Sequence, residues 1–409
     1  MINRAIRFGL IQSRAGLSGE VKNPGAVFVE RRCFMVQSST GAQGRILPDY
    51  AHSRWMDSIG LPIHRGHFIA DLRTVDVDWW EERQCKAAFL QFHGQEGISE
   101  ARVTEIPPGA TLPPLKFALD ELVYVVQGRG VTTIEHESNG SRKTFEWQDH
   151  SLFLIPGGHT HRFTNMRSDM TVRLLNYNYL PVAMSALPNP DFFFNNPFEV
   201  PDFLGRAGEE FYSEAKSVRS PDNYGVERNY WQGNFFPDMQ AWDKLDALKS
   251  RGAGGHSVQI RLPGSEISAH MSVFPAKTYK KAHRHGPGRV IVIPGGEGYS
   301  IIWEEGHEKV IIPWQEASVF TPPEKWFHQH FNLGEVPARY LALHPMPQFR
   351  GHAEKVEDRA RDQIEYPDEE PFIREKFEDD LSDRGLKSVI PEEAYQDRDY
   401  EWDYSADDH

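Results

Sequence analysis

A chain of 409 residues, 39% hydrophobic and 25% charged, is globular in composition and long enough for two or three domains. Its formal charge of −14 lies almost wholly in the last stretch, since Gly351 to His409 hold 21 acidic against 8 basic residues. No basic stripe is left to displace counterions from nucleic acid, and no apolar run approaches the ~20 residues of a membrane span. The expected protein is soluble, with neither nucleic acid nor membrane as partner.

The first residues carry Arg4, Arg7 and Arg14 and no acid before Glu20, which would suit an organelle transit peptide; a flexible start is the commoner reading. Cys33 and Cys85 are too few for a disulfide framework or a Cys-rich metal site, so a reducing, cytoplasmic compartment is the default. Residues 1–86 show weak periodicity and many Gly, Ser and Arg, and read as an irregular arm packed on the body. From 87 to 185 the pattern changes to short segments rich in β-branched and aromatic residues, such as ELVYVVQGRG and HSLFLIPGG, separated by Gly, Pro and Asn-Gly turns. A mixed linker, 186–250, has helical character around Met239 to Lys249. A second set of strand-like segments fills 251–348, and 349–409 is an acidic tail. In the tail, PFIREKFEDDLSDRG places Phe372, Ile373, Phe377 and Leu381 at helical spacing before Gly385, which predicts a terminal amphipathic helix.

The two strand sets are one pattern written twice. Gly128 and Gly296 each end an apolar run and differ by 168 positions; at that offset Glu121 matches Arg289, Leu115 matches His283 and Phe117 matches His285. Pro156, His161 and Asn165 match Pro323, His328 and Asn332 at 167. The fold class expected is all-β, with two like barrels or sandwiches in one chain.

These spacings resemble the cupin superfamily. Its first motif is a Gly, five residues, His-x-His, three or four residues, Glu, six residues, Gly; its second is Pro-x-Gly, two residues, His, three residues, Asn. The first half supplies Gly109, Glu121 and Gly128, then Pro156, Gly158, His161 and Asn165, but has Leu115 and Phe117 in place of the His-x-His pair. In the second half stand His283, His285 and Gly296, then Pro323, His328 and Asn332, with departures at Lys277, Lys325 and Arg289. The resemblance implies two double-stranded β-helix (jelly-roll) barrels between residues 87 and 345.

Residues two apart on a strand share a face, so His283 and His285 can point into one barrel while Arg284 points out, and His328 can complete a three-imidazole set. Such a set suits a borderline metal: Fe(II) first, with Mn, Zn or Ni as alternatives. The resemblance of a three-histidine cupin site without the glutamate to gentisate-type ring-cleaving dioxygenases raises the iron reading. Arg289 is expected to face the same cavity, where its guanidinium could pair with a substrate carboxylate; an ordinary ion pair is the equal alternative. His330 is a candidate for proton transfer or an alternative third ligand. Trp326, Tyr299 and Trp303 could line a substrate pocket or be plain core, and His270 and Gln329 are weaker cavity candidates. The first barrel reads as structural, with a smaller chance that His159, His161 and Glu121 bind something.

The expected function is a non-haem Fe(II)-dependent dioxygenase acting on a small carboxylate- or hydroxyl-bearing, possibly aromatic substrate together with dioxygen. One alternative is a non-oxidative metal-dependent isomerase, lyase or decarboxylase; another is a noncatalytic cupin that binds a small ligand. Exposed barrel edges predict a homo-oligomer in which subunits exchange strands or arms.

Overall fold

The computed structural model describes residues 50–404 apart from 96, 195, 214, 222–226, 242–244 and 352–360. The sequence signals at residues 1–49, Cys33 and the Arg-bearing start among them, lie outside the described residues. Two barrels follow one another, each built from a large and a small antiparallel-rich sheet, with eight and four strands in the first and nine and five in the second among the described residues. Together they make a mostly-β fold in which one strand pattern occurs twice.

Strand register shows the internal repeat directly. In the first barrel Tyr124 pairs with Leu152, and in the second Val292 pairs with Val319. Leu115 pairs with His161 as His283 pairs with His328. The isolated bridge Thr111–Thr164 recurs as Tyr279–Phe331. Even the turn chemistry is duplicated: Asn165 Nδ2 donates to the carbonyls of Ile106, Pro107 and Met170, and Asn332 Nδ2 to those of Phe274, Pro275 and Val336. Each asparagine amide shares its two hydrogens among three carbonyls at a strand end and the turn beside it.

The offset also explains the two lysines that depart from the motif. Gly109 and Gly158 have φ of 66° and 73°; their counterparts Lys277 and Lys325 hold φ of 58° and 57°. The left-handed turns are kept in the second barrel although a Cβ there costs about 1–2 kcal/mol.

Barrel edges are covered from within the chain. Phe68–Ile69, which precedes the first barrel, pairs with Val319–Phe320 of the second. Conversely Phe235–Phe236, which precedes the second barrel, pairs with Leu152 and Phe153 of the first. Each barrel thus receives an edge strand from the segment leading into the other, which protects unpaired backbone groups. The described part of the expected irregular arm is therefore ordered structure: helix Ala51–Ile59 buries Trp55 and Met56, and Ile63–Gly66 runs parallel to Cys85–Phe92.

The core cluster that joins the barrels takes Leu90, Tyr124 and Leu154 from the first and Ile260, Met271, Val292 and Leu341 from the second. Apolar alternation on the large sheets drives this packing at roughly 25 cal/mol per Å² removed from water. The expected helix around Met239 to Lys249 is not formed by the residues described there. Instead Asp246–Ala247 pairs with His256 and Ser257, and the Asp246 carboxylate accepts from the backbone and side-chain nitrogens of Asn229. Side-chain capture of this kind favours an extended segment over a helix. The terminal helix forms over Pro371–Ser382 and buries Ile373, Phe377 and Leu381, one turn apart, whereas Phe372 is exposed. That helix covers the outer face of the smaller sheet of the second barrel, where Tyr279, Tyr299 and Phe331 lie.

Candidate metal centre

His283 ends the short strand Ala282–His283 and stands directly opposite His328 on Phe327–Asn332. His285, two residues on, reaches the same point from the following turn. The ring centroids are 4.2 Å apart for His283 and His328, 4.6 Å for His285 and His328, and 5.9 Å for His283 and His285. One ligand atom from each of the three lies within 4.8 Å of the others, and all three side chains are buried.

Second bonds orient two of the rings. His285 Nδ1 is 2.7 Å from the carbonyl of Gly286 and His328 Nδ1 is 3.2 Å from that of Trp326. A carbonyl only accepts, so Nδ1 carries the proton in both and Nε2 keeps its lone pair. His283 Nδ1 is buried without a hydrogen-bond partner. Burial holds His328 down at about 3, with Arg289 and Arg251 adding to the effect. Burial likewise holds His283 well below the usual histidine range, helped by Arg251 and the neighbouring imidazoles. Three buried, converging imidazoles fit a borderline divalent ion, and with three donors they leave coordination positions open.

Arg289 is buried just before the strand Val290–Gly295, in the place that Glu121 takes in the first barrel. Its loop is fixed by the first barrel, because the Gly288 carbonyl accepts from Tyr177 Oη at 2.8 Å and Ser99 Oγ at 3.0 Å. Burial lowers its guanidinium to about 9, and the charges of Arg251 and Arg350 push the same way. Its own charge in turn acts on His328, which puts it in the electrostatic field of the cluster. Arg284 turns outward as expected, bonding Asp362 at 3.0 Å and Glu305 at 2.9 Å.

His330 shares the inward face with His328, 5.6 Å away between centroids, and lies outside the three-histidine cluster. Its Nδ1 is 2.8 Å from Ser300 Oγ, which also receives the indole N–H of Trp314 at 3.1 Å. Tyr299 and Trp303 do not line the cluster. Strand alternation puts Ser300 and Ile302 inward and sends these two aromatics outward, where they stack on Phe331 and Phe327 at 4.7 and 5.6 Å. Gln329 also faces out, donating to the Glu369 carboxylate at 2.9 Å. Trp326 is half-buried at the turn before His328, with its ring 5.6 Å from that of His67. His270 lies inside the barrel, its Nδ1 2.5 Å from His344 Nε2.

Nothing in the sequence pattern singled out Lys280 and Tyr340. Both are buried, and Lys280 Nζ contacts Ser272 Oγ and lies 3.5 Å from Tyr340 Oη. Extending the 168-residue offset upstream from His283 would have set Lys280 against Leu112 and flagged a charge in a core position.

The first barrel cannot assemble the same centre. Leu115 and Phe117 fill the pair positions, and Glu121 is occupied by Arg102 at 2.8 Å, Asn176 at 2.8 Å and Asn178 at 3.2 Å. Burial, then Arg83, holds His161 at about 3, and His159 Nδ1 bonds the Gly157 carbonyl at 3.1 Å. A cavity of about 410 Å³ opens elsewhere, lined by Gln232, Arg261, Ser268 and Arg350 among others and by none of the three clustered histidines.

No family model matches the chain, and no curated protein does. Among solved structures it is similar to oxalate decarboxylases. One was studied for its substrate binding mode and a reaction-specificity switch; the two share 13% identity over 68% of this chain and 77% of that chain, with a TM-score of 0.43. A formate complex of the Lactobacillus farciminis enzyme shares 13% identity over 69% and 87%, with a TM-score of 0.43. The Bacillus subtilis enzyme, studied for its Mn(II) centres, shares 12% over 68% and 77%, with a TM-score of 0.42. The candidate metal centre rests on this chain's own three imidazoles.

Proposed function

We propose that this protein is a metal-dependent enzyme that takes a small anionic substrate, a carboxylic acid carrying a second oxygen, at the histidine cluster of the second barrel. The observation that carries this reading is a cluster of three buried imidazoles, with no carboxylate among its donors, close to the buried Arg289. A divalent ion held by His283, His285 and His328 would supply Lewis-acid polarisation of the substrate's oxygens. Arg289 takes the substrate carboxylate through its planar fork, an anion that offsets the effects of burial and of the charges of Arg251 and Arg350. Ser300 Oγ accepts from Trp314 and bonds His330 Nδ1; in the tautomer in which Ser300 is the donor to Nδ1, His330 Nε2–H is left to donate to negative charge developing on the substrate.

The chemistry this arrangement supports best is non-oxidative cleavage, a decarboxylation or related lyase reaction. Fixed donors and cations around a buried site stabilise the electron pair that such a cleavage leaves on the substrate. The second reading, an Fe(II)-dependent dioxygenase, is favoured by the carboxylate-free histidine set itself, which resembles that of ring-cleaving cupins.

Metal content by plasma mass spectrometry tests the shared part, followed by carbon dioxide release and oxygen uptake over oxalate, β-dicarbonyls, hydroxybenzoates and catechols. About one ion per chain with carbon dioxide release and no oxygen uptake supports the lyase. Oxygen consumption with iron bound transfers the assignment to the dioxygenase. No metal after reconstitution with Mn, Fe, Zn and Ni overturns both and leaves a ligand-binding cupin.

A further inference from the structure

A lysine in the middle of a barrel is expensive unless a carboxylate answers it, because a buried charge loses several kcal/mol of hydration. Lys280 is 0% exposed, and its backbone is stitched to the strand Phe327–Asn332: its N–H donates to the His330 carbonyl at 3.0 Å and its carbonyl accepts from Gln329 Nε2 at 3.2 Å. The side chain runs inward to Ser272 Oγ and Tyr340 Oη and lies over the rings of Phe274 and Tyr340 at 5.3 and 5.0 Å. Among the described residues no carboxylate bonds this ammonium. Register identifies the corresponding residues of the first barrel. Ser272 pairs with Tyr340 where Thr104 pairs with Leu174, and Ser300 pairs with His330 where Thr132 pairs with Phe163. Lys280, one residue past the repeated bridge, corresponds to Leu112. One layer of the barrel is thus Leu112, Leu174 and Phe163 in the first copy and Lys280, Tyr340 and His330 in the second.

That layer adjoins the metal centre. The Tyr340 ring is 4.8 Å from His330, and His330 is 5.6 Å from His328. We propose that Tyr340 and Lys280 form the proton-donating pair of the second barrel, Tyr340 Oη–H protonating the substrate carbon and Lys280 positioning and recharging it. The inference rests on the non-oxidative reading above. When the bond to the departing carboxyl group breaks, its electron pair stays on the substrate carbon and takes the proton of Tyr340 Oη. The phenolate so formed faces the Lys280 ammonium, which returns a proton to it and is itself reprotonated from solvent, so no oxidant or reductant is needed.

The groups facing the phenol fit this role. From the neighbouring strands come His270, at 5.7 Å between centroids, and His330, and the charges of Arg289 and Arg251 act on the same region. Burial by itself raises the Tyr340 phenol, but Lys280, Ser272 and Arg251 outweigh it and set the phenol below the usual tyrosine range. Burial lowers the Lys280 ammonium, which eases the return of its proton.

The test is an ultraviolet titration of phenolate in the full-length protein, wild type beside Tyr340→Phe and Lys280→Met, with metal content measured on the same samples. Both variants should fold, since the first barrel carries leucine at both positions. One tyrosine should ionise below the ordinary value of about 10, be missing in Tyr340→Phe, and shift upward in Lys280→Met. Identical curves in wild type and Tyr340→Phe below that value, or no movement in Lys280→Met, would overturn the pair. With a substrate from the carbon dioxide screen, Tyr340→Phe should lose about 100-fold or more in kcat at unchanged KM and metal content, and an unchanged kcat would equally overturn it. Samples without metal but with the shifted tyrosine would defeat the metal assignment and leave the pair; metal with an ordinary tyrosine would do the reverse.

Discussion

The two barrels share a backbone register and have opposite electrostatic interiors. Inside the first, Glu100 and Glu121 are answered from within the chain. Arg102 bonds both, His52 Nε2 is 2.6 Å from Glu100, and Asn176 and Asn178 fill the remaining acceptor positions. In the second barrel the matching positions are Ser268 for Glu100, His270 for Arg102 and Arg289 for Glu121, with Ala342 and His344 in place of the asparagines. The first interior is closed on itself. The second carries Arg289 and Lys280 beside the buried imidazoles of His283, His285, His328 and His330. The duplicated scaffold shares its turns and strand pairs, and the two copies differ in a few inward side chains.

The comparison breaks most sharply at the histidines. His283→Ala should abolish metal binding, measured by plasma mass spectrometry, whereas His161→Ala should leave the metal content unchanged; loss of metal from the second variant would put the ion in the wrong barrel. Next comes the buried network. Arg102→Met leaves two buried carboxylates without their cation and should cost roughly 3–5 kcal/mol, seen as a lower denaturant midpoint. Arg289→Met, at a position where the charge is already disfavoured, should be neutral or stabilising in the metal-free protein. A large loss there would mean that Arg289 is structural and not a substrate group.

Smaller effects test the symmetry of the scaffold. Asn165→Ala and Asn332→Ala each remove an amide whose two hydrogens are shared among three carbonyls and should cost about 1–3 kcal/mol apiece, by similar amounts. Unequal losses in denaturant titrations would show that the two turns are not equivalent under load. Smallest of all, Lys277→Gly should gain up to about 1 kcal/mol by relieving a left-handed residue, and Gly109→Ala should lose about as much. No atom lies within 4 Å of a Cβ built at Gly109, so only the backbone conformation is tested there.

Much of this was legible from residues alone. Offsets of 168 and 167 found the two barrels, and the contrast of Leu115 and Phe117 with His283 and His285 pointed to the second. Tyr299 and Trp303 were ambiguous because alternation says only that they share a face, not which face is inside; that is set by Ser300 and His330 meeting across the barrel. The exchanged edge strands Phe68–Ile69 and Phe235–Phe236 carry only two residues each, too short for any periodic signal. The helical reading near Met239 failed because Asn229, distant in sequence, captures Asp246.

By itself, then, the sequence determined the repeat, the turns and the candidate ligands, because side-chain alternation and turn chemistry act over a few neighbouring residues. Tertiary structure alone decided which buried charge is answered and which is not. Arg102 meets Glu121 from 19 residues away, and Lys280 meets Tyr340 from 60. Whether a buried cation is neutralised depends on what the opposing strands bring within a few ångströms, and those strands are far along the chain.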